Sequence, residues 1–252
     1  MNKRRRKTSP VSVFLLVLAV AALVYVNQVV VPSTPPLFIP TPTPTRAPET
    51  YVSEAQAPEK EGKIAQAISA YKDAVQVDPT NAGINVTLAR LEATNGDYAN
   101  AIMHAENALL VNANNAMAHA IRGWALGLSG DYLASQSALQ RAIQIDPNNA
   151  VPYAYMAEIL ARMQQEGKGT LGTMEEAINY SRQARDLGPN LLETHRARAI
   201  ILELTGENAE AIAELEAAVA INPNIAELHI MLGRNYVATG EDAKAEEQYY
   251  KA

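Results

Sequence analysis

The amino-acid sequence predicts an all-α protein in which a single N-terminal transmembrane helix and a proline-rich linker precede a stack of about six helix-turn-helix repeats. Three observations predict this organisation. A run of 21 uncharged residues follows a basic N-terminus, seven of the 14 prolines lie directly after it, and similar segments then recur at intervals of 34 residues. A fixed period of this length indicates stacked helical repeats, each of which packs only against its neighbours.

The first ten residues form a basic tail with five lysine and arginine side chains and no acidic one. The uncharged stretch Val11–Val31 would form a helix about 31 Å long, close to the ~30 Å hydrocarbon core of a bilayer. Because basic segments stay in the cytoplasm, we expect a single-pass protein whose repeats lie outside, in a bacterial cell envelope. A cleaved signal peptide is the alternative, but the apolar run is long for one and no Ala-x-Ala site follows it.

Residues 32–48 form the linker, in which threonine and serine separate the prolines. Such a composition cannot form a packed core and favours the extended polyproline II conformation, which rises ~3.1 Å per residue. We therefore expect a semi-rigid spacer of up to about 50 Å that lifts the repeats away from the membrane surface.

The repeat region, residues 49–252, divides at the segment that ends each second helix, which usually contains proline. Proline lacks the amide hydrogen that a helix needs, and it disfavours helix at the residue before it. The resulting copies comprise residues 48–81 (degenerate), 82–115, 116–149, 150–191 (with an eight-residue insertion), 192–225 and 226–252 (incomplete).

Each copy contains two segments with helical periodicity. In the copy at 116–149, small and apolar residues at spacings of three and four flank Gly130-Asp131-Tyr132, which predicts two helices joined by a short turn. In the first copy Pro58 stands within the first segment, and an internal proline costs ~3 kcal/mol, so we expect a short or broken helix at 50–57. The glycine-rich insertion predicts a flexible loop around residues 164–173, between the paired helices.

Apolar, small and aromatic residues recur at fixed positions of the copies. In the last copy these residues are Leu232, Gly233, Tyr236, Ala245, Tyr249 and Ala252, and in the copy before it they are Ala199, Leu202, Ala211, Leu215, Ala218 and Pro223. On these residues the chain, over roughly residues 48–252, resembles the tetratricopeptide repeat (TPR) family. The resemblance implies a right-handed α-solenoid whose concave face is lined by the first helix of each pair.

The resemblance also implies a binding site, because several first-helix positions in TPR proteins commonly face the concave groove. In this chain those positions carry Arg90, Trp124, Glu158, Arg162, Arg196 and Arg234. Arginine and tryptophan often dominate protein interfaces, and arginine holds carboxylates in a bidentate fork. These residues are therefore candidates for binding a peptide or a partner protein. The alternative is that Trp124 fills the groove and the arginines pair with neighbouring glutamates.

Composition and motifs exclude several other functions. The sequence contains no catalytic or nucleotide-binding motif and no cysteine, so it offers no disulfide and no thiolate ligand. After residue 10, the chain has 27 acidic side chains against 16 basic ones, which disfavours nucleic-acid binding. We expect a non-enzymatic protein that needs no cofactor and no metal.

The leading hypothesis is a membrane-tethered adaptor that binds a peptide or partner protein in the concave TPR groove during assembly of envelope complexes. The alternative is the targeting or regulatory part of a larger enzyme, such as a transferase, whose catalytic domain follows residue 252. No polar capping helix follows the last copy, although stacked repeats usually need one. The sequence is therefore expected to be a fragment, or its last pair to be covered by a partner or by a second copy of the chain.

Overall fold

The computed structural model describes residues 9–30 and 47–252 and divides the chain into two units, Met1–Thr45 and Arg46–Ala252. Most of the predicted basic tail and of the predicted proline-rich linker lies outside the described residues. The predicted all-α fold class is confirmed, because the described residues form 13 α-helices and no strand.

The first unit contains helix α1 (Pro10–Tyr25), which continues into a π-helical segment at Val26–Val30. Residues Pro10–Val29 have a mean hydropathy of 2.3, and none of their side chains is buried within the protein. This helix is long and apolar enough to cross a membrane, and a signal sequence near the N-terminus has the same properties.

The second unit is a row of six helix pairs. The first helices of the pairs are α2 (Pro48–Lys60), α4 (Ala82–Thr94), α6 (Ala116–Leu128), α8 (Ala150–Gln165), α10 (Leu192–Thr205) and α12 (Ala226–Ala238). The second helices are α3 (Ile64–Val77), α5 (Tyr98–Val111), α7 (Tyr132–Ile145), α9 (Thr173–Leu187), α11 (Asn208–Ile221) and α13 (Asp242–Lys251).

Side-chain caps fix where the central helices begin. The side-chain oxygens of Asn81, Asn115 and Asn149 accept hydrogen bonds of 3.0–3.2 Å from backbone N–H groups in the first turns of α4, α6 and α8. Asp97 and Asp131 cap α5 and α7 in the same way. Each cap satisfies a helix N–H that would otherwise lack a partner. The corresponding residues before α10 to α13 make no capping bond, so these helix starts depend more on packing.

The paired helices approach closely where a small residue of the first helix faces a large residue of the second. A Cβ atom added to Gly123 would lie 2.7 Å from Cγ of Leu139, and one added to Gly233 would lie 2.5 Å from the ring of Tyr249. Ordinary carbon–carbon contacts lie at about 3.5–4.0 Å, so only glycine permits these approaches. The recurring small and large residues thus set the spacing within the pairs.

The first helices lie on the inner side of a curved row. Helices α4, α6, α8 and α10 pack on one another in sequence, whereas no contact of similar extent joins consecutive second helices within residues 47–252. The largest cluster of buried apolar side chains in this unit extends from α4 to α10 and includes Trp124, Tyr155 and Ile159. The concave face is therefore built from the first helices.

The predicted break in the first helix is wrong. Helix α2 runs through Pro58 to Lys60 without interruption. Pro58 removes one intrahelical bond, and only two helical residues follow it, so the helix is complete before the proline can interrupt it. The last turn still closes, since the carbonyls of Ala57 and Pro58 accept hydrogen bonds from Glu61 (3.0 Å) and Lys63 (2.8 Å).

The fourth repeat contains the insertion. Its first helix, α8, has 16 residues, whereas α6 has 13, and a loop at residues 166–172 joins it to α9. Gly172 at the end of this loop has a φ of 102°, a backbone conformation that glycine adopts without strain.

Candidate functional site

The structure separates the six predicted groove residues into a buried set and an exposed set. The buried set consists of Trp124, Glu158 and Arg196, which are 3%, 8% and 4% exposed, respectively. The exposed set consists of Arg90, Arg162 and Arg234, whose side chains are 38%, 42% and 54% exposed to solvent, respectively. Arg162 and Arg234 border the open part of the groove, whereas Arg90 lines its covered part.

The buried set forms a stack that also includes Tyr155, and we call these four residues the arginine–tryptophan stack. The indole of Trp124 lies nearly parallel to the phenol ring of Tyr155, with ring centroids 4.7 Å apart and an interplanar angle of 5°. The guanidinium of Arg196 lies 4.7 Å from the indole centroid, within the range of a cation–π interaction. The stack therefore joins α6, α8 and α10, the first helices of three consecutive repeats.

Glu158 satisfies the polar groups of this stack. Its Oε1 accepts a hydrogen bond of 3.0 Å from Nε1 of Trp124, and its Oε2 accepts bonds of 3.2 and 2.9 Å from Nε and Nη2 of Arg196. A buried charge is tolerated when it is both paired and hydrogen-bonded, and all three side chains meet this condition. Their mutual pairing leaves little capacity for a ligand.

The charge states within the stack are fixed. Burial alone would lower the pKa of Arg196, but Glu158, with Glu227 and Glu193 nearby, raises it above its ordinary value. Burial raises the pKa of Tyr155 well above its ordinary value, and Glu193 raises it further. Arg196 therefore stays charged and Tyr155 stays neutral at any physiological pH. The stack is a structural element rather than a titrating site.

At the N-terminal end of the groove, Arg90 pairs with Glu59 of α2. The hydroxyl of Tyr71 donates a 3.1 Å hydrogen bond to the other carboxylate oxygen of Glu59. Burial, followed by the charge of Glu59, raises the pKa of Tyr71 to about 12. These contacts join the first two repeats.

The N-terminal half of the concave face encloses a small space. The cavity next to Arg90 and Trp124 has a volume of about 70 Å³ and is partly lined by Asn222 and Ile225, which belong to the loop between α11 and α12. This loop therefore covers the part of the groove that lies above the arginine–tryptophan stack. No spacing rule within a single repeat predicts such a contact.

The C-terminal half of the concave face is open, and we call it the C-terminal groove. It has a volume of about 390 Å³, and its walls are α8, α10 and α12. Ile200 and Ile230 provide an apolar surface, Ile230 being 44% exposed, and Met231 lies beneath them at 4% exposure. Of these three, Ile200 stands at a first-helix position that the repeat register predicts to face the groove, whereas Ile230 and Met231 were not predicted as groove residues.

Two exposed ion pairs border the C-terminal groove. Nε of Arg162 lies 3.3 Å from Glu166, and Nη2 of Arg234 lies 3.2 Å from Glu203. Exposed pairs of this kind contribute only about 0–1 kcal/mol, so either arginine can exchange its glutamate for another carboxylate at little cost. The groove thus combines an apolar floor with exchangeable charged groups at its edges.

The histidines give no sign of a metal site. Within residues 9–30 and 47–252, no group of three or more histidine, cysteine, aspartate or glutamate side chains is arranged to hold a metal ion. Nδ1 of His195 lies 2.6 Å from Glu214, and Nδ1 of His229 lies 2.8 Å from Gln248. These contacts join the two helices within single repeats.

The curved row of helix pairs and its concave groove define a helical-repeat protein. Family models for the tetratricopeptide repeat match residues 60–125, 118–149 and 196–252, which together make up more than half of the chain. The chain belongs to the tetratricopeptide repeat family.

Solved structures share the fold at low sequence identity. The IFIT1 monomeric mutant with Gppp-AAAA and the human IFIT1 dimer with m7Gppp-AAAA each match with a TM-score of 0.61 and 17% identity. Each match covers 81% of this chain and 50% of the other, so the chain spans about half the length of these proteins. A crystal structure of MamA matches 66% of the chain at 22% identity with a TM-score of 0.43. No curated protein matches the chain.

Proposed function

We propose that this protein is a non-enzymatic, membrane-tethered scaffold that binds a peptide segment or a partner protein in the C-terminal groove during assembly of envelope complexes. The observation that carries the proposal is the groove itself, an open volume of about 390 Å³ on the inner face of three consecutive repeats. Concave surfaces of this kind are the usual binding faces of helical-repeat proteins.

The proposal assigns different roles to the predicted groove residues. Arg162 and Arg234 would contact the partner, because both are exposed and held only by surface ion pairs. An apolar side chain of the partner would pack on Ile230 and Ile200, and a partner carboxylate would replace a glutamate at one of the arginines. Within the arginine–tryptophan stack only Glu158 lines the C-terminal groove, and the other three residues would hold the walls in place without touching the partner. Arg90 lies in the other half of the groove.

Helix α1 supports the membrane tether. The 20 residues Pro10–Val29, which include this helix, are exposed and uncharged, and five basic side chains precede them in the sequence. The positive-inside rule then favours a cytoplasmic N-terminus and an extracytoplasmic repeat unit.

Charge favours a protein partner over a nucleic acid. The similar IFIT1 structures contain Gppp-AAAA or m7Gppp-AAAA. In the present chain, acidic side chains outnumber basic ones by 27 to 16 after residue 10, and a polyanion would meet an unfavourable field.

Site-specific photo-crosslinking tests the groove. A photoreactive amino acid replaces Ile230 in the full-length protein in its membrane, and the control replaces Leu110, an 86% exposed leucine on the second helix α5. We expect discrete crosslinked products from position 230 but not from position 110, and we expect the Arg162→Ala/Arg234→Ala variant to lose them. Equal crosslinking at both positions, or products that do not depend on the arginines, would contradict the groove as the binding site.

Cysteine labelling tests the tether, because the native chain contains no cysteine. A single cysteine at the exposed position Ser53 should react with a membrane-impermeant maleimide in intact cells, whereas one at Thr8 should react only after lysis. The reverse pattern would contradict the proposed orientation. A mature protein that lacks residues 1–31 by mass spectrometry would show that α1 is a cleaved signal sequence.

A further inference from the structure

The two ends of the helical row touch each other at one point. The side chain of Asn224, in the loop before α12, donates a 3.0 Å hydrogen bond to the carbonyl oxygen of Lys60, the last residue of α2. The chain approaches so closely here that a Cβ atom on Gly62 would lie 2.1 Å from Cβ of Asn224 and 2.8 Å from its carbonyl oxygen. We call the contact between residues 60–62 and residues 222–225 the clasp.

The clasp is narrow. Beside it lies a cleft of about 500 Å³, lined on one side by residues 62–66 with Thr94 and Asn95, and on the other by residues 224–227. Within residues 47–252, no extended helix–helix contact joins the first repeat to the fifth or sixth. One exposed hydrogen bond and one tight approach at a glycine therefore hold the ends together.

Opening the clasp would leave the rest of the fold in place. In stacked repeats each unit is stabilised by contacts with its neighbours, and these contacts do not depend on whether the ends meet. The loop at residues 222–225 would move away from the groove, because Asn222 and Ile225 line the 70 Å³ cavity next to Arg90 and Trp124. The N-terminal half of the groove would then become accessible.

We propose that the clasp is an autoinhibitory contact, through which the chain's own loop occupies the N-terminal half of the concave groove until the ends separate. The existence of open and closed forms rests on the clasp geometry alone. Because the proposed function places the partner in the C-terminal groove, the clasp would block only a polypeptide that extends from there into the N-terminal half, and this role rests on the proposed function. The C-terminal groove lies outside the cavity that the loop fills, so the crosslinking at Ile230 tests the proposed function separately.

Distance measurements on the full-length protein in nanodiscs test the clasp. Spin labels at Gln66→Cys and Glu227→Cys, two exposed positions that line the cleft, report its width, and no native cysteine interferes. We expect a single short distance in the parent protein. Gly62→Ala should shift the distribution to longer and broader distances, because the added Cβ collides with Asn224.

Gly96→Ala is the matched control. Gly62 and Gly96 have similar positive φ angles of 71° and 81°, so alanine strains the backbone at both positions, but no atom lies within 4 Å of a Cβ at Gly96. Asn224→Ala is a second test that removes the hydrogen bond without backbone strain. It should lengthen the distance less than Gly62→Ala does. Circular dichroism verifies that each variant keeps its helix content.

Acrylamide quenching of Trp124, the only tryptophan, shows whether the loop covers the groove. We expect a higher quenching constant in Gly62→Ala than in Gly96→Ala or the parent protein. A long distance in the parent protein, an unchanged distance in Gly62→Ala, or the same change in Gly96→Ala would overturn the clasp. A longer distance without increased quenching would overturn its autoinhibitory role.

Discussion

Glu158 is the residue whose loss should most damage the inner face of the solenoid. The Glu158→Ala variant removes the acceptor for Nε1 of Trp124 and the carboxylate that pairs with Arg196. Both partners stay buried, at 3% and 4% exposure, so the guanidinium loses its hydrogen-bonded carboxylate while it remains away from water. Removing one partner of a buried ion pair costs about 3–5 kcal/mol. Because the three side chains form one network, the lost tryptophan hydrogen bond is not added separately.

The fluorescence of Trp124 provides a direct assay, because it is the only tryptophan and lies inside the stack. The full-length protein in detergent micelles is unfolded with guanidinium chloride, in which small proteins lose roughly 2–6 kcal/mol of stability per molar denaturant. A loss of about 4 kcal/mol therefore lowers the midpoint by about 1 M. The midpoint, rather than a global free energy, is compared, because repeat proteins unfold in parts.

Two further variants make this test specific. Glu166→Ala removes an exposed carboxylate that pairs with Arg162 and Lys168, and it should lower the midpoint much less than Glu158→Ala does. Glu158→Met combined with Arg196→Met removes both charges and should recover much of the stability lost in Glu158→Ala, because no buried charge is then left unpaired. The reasoning would be refuted if Glu158→Ala lowered the midpoint no more than Glu166→Ala does. It would also be refuted if the loss of stability in the double variant equalled the sum of the losses in the two single variants.

Two other positions give clear expectations. Gly123→Ala places a Cβ 3.0 Å from two backbone atoms of α7. Overpacking of this kind costs about 1–3 kcal/mol, so this variant should lower the fluorescence midpoint. The control Gly83→Ala makes no contact closer than 3.4 Å and should not lower it. Burial, followed by a hydrogen bond to Glu216, raises the pKa of Tyr236 to about 12. Since ~10 is the ordinary value, its stabilising contribution is fully present below pH 10 and is lost as the pH rises through 12. A Tyr236→Phe variant should therefore lose a late step in the tyrosinate absorbance titration, and an unchanged titration would contradict the raised pKa.

The sequence was sufficient to predict the helical-repeat fold class, because its signals are local. The recurring segments around Pro147, Pro189 and Pro223 mark helix ends, and small residues such as Gly123 mark close helix contacts. The prediction for Pro58 failed because the helix it was expected to break runs N-terminal to it, and only two helical residues follow the proline.

The candidate site was harder to predict than the fold. The repeat register identifies side chains that point to the concave face, but their burial depends on how strongly the row curves. The pairs Trp124–Glu158 and Glu158–Arg196 join residues 34 and 38 positions apart, so no single repeat contains both members. Tyr155 was missed for the same reason, because its stacking on Trp124 requires the relative placement of two repeats.

The open part of the groove arises where the sequence departs from its period. The first helices of the neighbouring repeats, α6 and α10, have 13 and 14 residues, and a helix of that length would end α8 near Arg162. The insertion in the fourth repeat extends α8 to Gln165, and both Gln165 and Glu166 line the C-terminal groove. Glu166 is also the carboxylate that pairs with Arg162. The regular repeats thus supply the curvature, and the eight extra residues supply part of the wall and of the charged edge that we propose a partner contacts.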